Sequence, residues 1–146
     1  MGRVTVRVPS SNVDTETESA DGIEVVVIES TVRGASVLVT QFVGFVTLLQ
    51  SLGMADDDIN TAILEGMVAD FTAEFIRESG GRVRGHRQGQ FSGLGFYSAF
   101  GETDLNDATF EVRGFVSGGD IYFVMLLWND DSADIVEPFF ESVSFR

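Results

Sequence analysis

"ATFEVRGFVSGGDIYFVMLLW", residues 108–128, reads as two strands joined by a turn. Its first part alternates, with Phe110, Val112 and Val116 on one face. That is the period of a strand. Gly118-Gly119-Asp120 supplies a turn. The second part, "IYFVMLLW" (121–128), has no polar face at all. A strand apolar on both sides must be covered on both sides. The rest of the chain therefore has to provide two layers of cover for one central strand.

One cover is legible upstream. In "DDDINTAILEGMVADFTAEFIRESGG" (56–81), Ile59, Ile63, Met67, Phe71 and Phe75 form a stripe flanked by Leu64, Val68 and Ile76. That spacing predicts a long amphipathic helix. Asp56–Asp58 are read as its N-cap and as favourable charge at its positive end, and Gly80-Gly81 as its stop. A second cover is predicted from Ile135, Val136, Phe139, Phe140 and Val143, the stripe of a short C-terminal helix with Pro138 in its first turn.

The remaining segments supply strands. "RVTVRVPS" (3–10) alternates up to Pro9, and "SNVDTETESADG" (11–22) reads as an acidic surface loop. "IEVVVIES" (23–30) and "ASVLVTQF" (35–42) are β-branched runs joined by "TVRG", a hairpin. "RVRGHRQGQF" (82–91) leads into "SGLGFYSAFGE" (92–102), where Leu94, Phe96, Ser98 and Phe100 share one face. Hairpin-length links imply antiparallel pairing. The expectation is an α+β fold: an antiparallel sheet of about six or seven strands, one long helix and a short C-terminal helix, in one domain over 1–146.

Composition excludes several chemistries. The chain has 146 residues, 44% of them hydrophobic, with 13 phenylalanines, enough for a substantial core. Without cysteine there is no disulfide, no thiol catalysis and no thiolate metal site. His86 is the one histidine and has no G-x-S-x-G near it. The oxygen-bearing clusters Asp56–Asp58 and Asn129-Asp130-Asp131 with Asp134 do not follow a calcium-loop pattern and sit where helices should begin. Gly89, Gly93 and Gly95 have the wrong order for a dinucleotide loop, and strand glycines more often mark bulges or close packing. No cofactor is expected.

The net charge is −14, and all nine cations are arginine. Duplex nucleic acid would be repelled by that field. An acidic, lysine-free composition has two readings, adaptation to high salt or GC-rich codons. No apolar run is long enough to span a membrane. As written the chain reads as cytoplasmic, with an extracytoplasmic domain lacking its leader as the alternative.

"VTVRVPS" (4–10), "QFSGLGFYSAF" (90–100), "VRGFVSGGDIYFVMLLW" (112–128) and "FFESVSF" (139–145) together resemble the PsbP-like superfamily over nearly the whole chain. The resemblance implies a central antiparallel sheet flanked by helices and a non-catalytic binding or assembly role, as an envelope-associated or accessory protein. It carries no catalytic residue to transfer. The favoured function is therefore protein binding. Its candidate surfaces are the hairpin arginines Arg82, Arg84 and Arg87 and the apolar segment 42–54, with Phe42, Phe45, Leu48, Leu49 and Leu52, a patch if exposed and otherwise core packed under the long helix. Alternatives are a carrier of a small apolar ligand, held where Gly93, Gly95 and Ala99 leave room, and an Asp/Glu-dependent hydrolase.

Overall fold

The computed structural model describes residues 4–6, 13–20, 23–32, 35–91, 94–129 and 136–145. Seven strands form one antiparallel sheet: β2 (Val13–Ala20), β3 (Ile23–Val32), β4 (Ala35–Val43), β5 (Gly81–Phe91), β6 (Leu94–Thr103), β7 (Thr109–Ser117) and β8 (Asp120–Trp128). Their order across the sheet is β2-β3-β4-β8-β7-β6-β5. A separate two-stranded pair joins the ends of the chain, β1 (Val4–Val6) with β9 (Val143–Phe145). The helices are α1 (Phe45–Ser51), α2 (Asp56–Asp58), α3 (Leu64–Ser79) and α4 (Val136–Ser142).

The doubly apolar strand is central, as its sequence requires. β8 lies between β4 and β7, and Ile121 to Leu127 are buried without a break. Two hydrophobic clusters cover its faces. On one, Val37, Val39, Phe96, Phe115, Tyr122, Val124 and Leu126 pack with Val136, Phe139 and Phe140 of α4. On the other, Ala99, Phe110, Val112, Ile121, Phe123 and Met125 pack with Val46 and Leu49 of α1 and with Ile59, Leu64 and Val68. Each phenylalanine removed from water here contributes about 1.5–3 kcal/mol.

The long helix is not a uniform α-helix. Between α2 and α3 the chain makes a π-helical turn, Ile59–Ile63. The π turn adds a residue to the helical circuit. Ile59 and Leu64, five apart, then share the buried face and continue through Val68 and Thr72. The stripe expected at 59, 63, 67, 71 and 75 is thus displaced: Ile63, Met67, Phe71 and Phe75 flank the buried row and are only partly covered. The cap also differs from expectation. Ala55 is the N-cap and no side chain caps it, while Asp56–Asp58 fill the first turn. Their charge still favours the positive helix end.

Other corrections concern strands. Residues 13–20, expected as loop, are β2, paired with β3 from Val13↔Ser30 to Ala20↔Ile23. Val13, Thr15, Thr17 and Ser19 alternate with Asp14, Glu16 and Glu18, which is strand patterning hidden under acidity. Charge suits an edge strand because it discourages stray pairing. The C-terminal helix stops at Ser142, and Val143 belongs to β9 instead. In β5 the register shifts between Val83 and Gly85, so Arg84 sits in a β-bulge and Arg82, Arg84 and His86 do not follow one unbroken alternation. Asp130, Asp131, Asp134 and Ile135 lie outside the described residues, as do Pro9 and Gly93.

Candidate interaction surfaces and a neutral cleft

The apolar segment 42–54 leaves the sheet through Gly44, whose φ of 71° is left-handed. Asp120 fixes this exit: its Oδ1 accepts the Gly44 N–H at 2.7 Å and its Oδ2 accepts Gln41 Nε2 at 2.8 Å. The Val46 N–H then donates to the Gly119 carbonyl at 3.1 Å, tying α1 to the β7–β8 turn. The helix ends at a left-handed glycine. Gly53, at φ 89°, donates to Gln50, and Met54 donates to Leu49, which is a Schellman motif.

Only one side of α1 is used by the core. Val46 and Leu49 are buried, and Phe42 and Phe45 are half-buried, with the Phe42 ring edge-on to Phe123 at 5.3 Å. Leu48, Leu52 and Met54 keep 40%, 71% and 38% of their surface exposed. The five apolar candidates therefore separate into a core member, Leu49, two flanking rings and an exposed pair, Leu48 and Leu52.

The arginine candidates lie elsewhere. Strand registers place Arg82 in a row with Glu102, Thr109 and Trp128, whereas Phe42 pairs with Ile121 at the other end of the sheet. Arg82 Nε stands 3.7 Å from Glu102, and Arg84 makes a close ion pair with the same carboxylate. Arg87 donates to both Glu111 oxygens, at 2.6 and 2.9 Å, and its Nη2 lies 3.8 Å from Glu137. The hydrogen bond to Glu111 raises the Arg87 pKa above its ordinary value, with burial opposing and the charges of Glu111 and Glu137 assisting. All three arginines meet this chain's own acids.

Behind Arg87 lies a polar cluster with little sequence signal. Glu111 and Arg113, two apart on β7, are both buried. Arg113 Nε donates to Glu111 Oε2 at 2.5 Å, and Glu137 of α4 lies 3.7 Å from Arg113. The Arg113 guanidinium is sandwiched between rings, 3.9 Å from the Phe140 centroid and 4.5 Å from that of Phe96. The only cue in the sequence is that Glu111 and Arg113 fall opposite Phe110 and Val112 on a strand that must be covered on both faces. The adjoining Ser98 Oγ is buried without a hydrogen-bond partner among the described residues.

Sequence reasoning also missed a cleft of about 680 Å³ between the π turn and the ends of β5, β6 and β7. Asn60, Gln88, Gln90, Tyr97 and Ser117 are among the residues that line it, and Gly95 opens into it. By contrast, the space between α3 and the sheet is filled. A Cβ on Gly114 would collide with Val68, and the Phe71 and Phe75 rings stand 5.1 and 5.3 Å from Phe123 and Phe110. Among the described residues no group of three or more His, Asp or Glu is placed to share a metal ion, and no helix is long and apolar enough to cross a membrane.

No family model matches the chain, and no curated protein matches it. Among solved structures, the chain is similar to cyanobacterial PsbP (CyanoP) from Synechocystis sp. PCC 6803. The overlap covers 97% of this chain and 94% of that one, at 15% identity and a TM-score of 0.47.

Proposed function

We propose that this chain is a non-enzymatic binding domain that docks a protein partner through α1 and the turn after it. The observation that carries the reading is the exposure of Leu48 on a short helix whose opposite side is anchored in the core, and of Leu52 and Met54 in the turn that ends it. Burying such side chains releases about 1.5–3 kcal/mol each. The Schellman turn and the Val46–Gly119 hydrogen bond hold the ridge in place before any partner arrives, so little ordering is left for binding. Phe42 and Phe45 support the ridge from below. Arg82, Arg84 and Arg87 serve the sheet edge by meeting Glu102 and Glu111, and take a lesser part in docking.

Site-specific photocrosslinking in the native host tests this reading. A crosslinker at Leu52 should give one discrete protein adduct, and a crosslinker at Glu65, exposed on the outer face of α3, should not. Equal labelling at both positions, or none at Leu52, would overturn it.

A further inference from the structure

The cleft beside the π turn has a chemistry unlike the rest of the surface. The chain carries 23 acids and a net charge of −14, yet the eleven described residues that line the cleft include no acid and no arginine. An anion would be repelled by the protein's field, and a cation would find no carboxylate there. The lining does offer carboxamides from Asn60, Gln88 and Gln90, and a hydroxyl from Tyr97. Each carboxamide both donates and accepts, as does the hydroxyl. Among the described residues none of these four side chains has a hydrogen-bond partner inside the protein. Beneath them lies an apolar floor, in which the half-buried Tyr97 ring joins buried Leu64.

We propose that this cleft binds a neutral pyranose ring. Such a ring has one face of C–H groups, which suits the tyrosine and leucine floor, and an edge of hydroxyls that donate and accept together, which suits the amides. About 680 Å³ lies within the range of small-molecule sites and admits a disaccharide. Two local features create the room. Gly95 sits where a Cβ would have no neighbour closer than 3.9 Å, so any larger residue would project into the cleft. The π turn at Ile59–Ile63 brings Asn60 to its border. Single π turns recur at functional sites because they redirect side chains in this way. The site is separate from the α1 ridge, and its failure leaves the docking reading untouched.

Titration of ¹⁵N-labelled protein with methyl α-glucoside, methyl β-galactoside, methyl α-mannoside, N-acetylglucosamine and maltose tests the proposal. At least one should shift the amides of Asn60, Gln88, Gln90 and Tyr97 saturably, with a millimolar Kd. Gly95→Val keeps every lining group and suits a strand; it should abolish the shifts without lowering the Tm. Asn60→Ala, at an exposed position, should weaken binding several-fold and serves if Gly95→Val does not fold. Maltose binding more tightly than methyl α-glucoside would assign the ring to a glycan end, and equal affinity to a free sugar; both uphold the site. Three results would overturn the proposal: no probe moves the cleft amides, the shifts survive Gly95→Val, or adenosine saturates the cleft while every sugar fails.

Discussion

At the scale of single residues, β7 holds the most consequential side chains. Glu111 sits between two guanidiniums, those of Arg113 and Arg87, and is 4% exposed. Removing it breaks a buried ion pair, in which Arg113 Nε donates to Glu111 Oε2 at 2.5 Å. Glu111→Ala should therefore lose about 3–5 kcal/mol in urea unfolding. Arg87→Ala should lose no more than about 1 kcal/mol, because Arg87 is half exposed and Glu111 keeps Arg113. The raised pKa of Arg87 contributes stability that is fully present below the ordinary arginine range and lost only as pH climbs through the raised value. Arg87 thus adds no pH dependence near neutrality. Gly114 is the second such position. A Cβ there would collide with Val68 Cγ2 and press on the Phe123 ring at 3.2 Å. Gly114→Ala should cost about 1–3 kcal/mol. Adding Val68→Ala should make the double variant more stable than the sum of the single losses, by about 1 kcal/mol in a double-mutant cycle.

At the scale of elements, the π turn sets the phase of the long helix. Ile59 and Leu64 are buried five residues apart, and Leu64, Val68 and Thr72 follow at four. Deleting exposed Ala62 gives the first pair a spacing of four and returns the helix to regular α form with the same buried row. That variant should keep its helical circular dichroism and a melting temperature close to the parent, while displacing Asn60 from the cleft. Inserting an alanine after Gly66 instead turns Val68 and Thr72 by about 100° away from the sheet, which should cost more than about 3 kcal/mol. The helix was legible in sequence because its apolar period is strong. Its bulge was not, since rows at spacing four and at spacing five lie side by side among Ile59, Ile63 and Leu64. The β7–β8 hairpin was legible because a doubly apolar strand has few possible locations. β2 was hidden because Asp14, Glu16 and Glu18 make a polar composition, and composition outweighed the alternation beneath it. Of the candidate surfaces, segment 42–54 has more apolar residues than one helix face can bury, but its sequence does not say which are covered; Leu49 is buried while Leu48 and Leu52 are exposed. The cleft gave no such signal: its residues come from four separate segments that only the topology unites.

At the scale of the whole molecule, the question is what the acid excess does. Among the described residues Arg77, Arg82, Arg84, Arg87 and Arg113 pair with Glu74, Glu102, Glu111 and Glu137. With nine arginines against 23 acids, even perfect pairing leaves the net charge of −14 unanswered. The outer face of α3 shows the consequence locally, for Asp70, Glu74 and Glu78 repeat at intervals of four, where like charges repel by about 0.2–0.5 kcal/mol per pair. Such repulsion between exposed groups is screened when the Debye length falls from about 10 Å at 0.1 M salt to about 3 Å at 1 M. The buried Arg113–Glu111 pair is screened far less. Raising KCl from low to molar concentration should therefore stabilise the fold by about 1 kcal/mol or more, a rise of roughly 4 °C in melting temperature. Asp70→Arg replaces a repulsion by an attraction to Glu74 and should raise the low-salt melting temperature while shallowing the salt response. A flat response in the parent would mean that the surface acids do not repel one another enough to matter, and the lysine-free composition would then follow from codon usage alone. A steep response, reduced by Asp70→Arg, makes the acid excess a physical adaptation of the surface to concentrated salt.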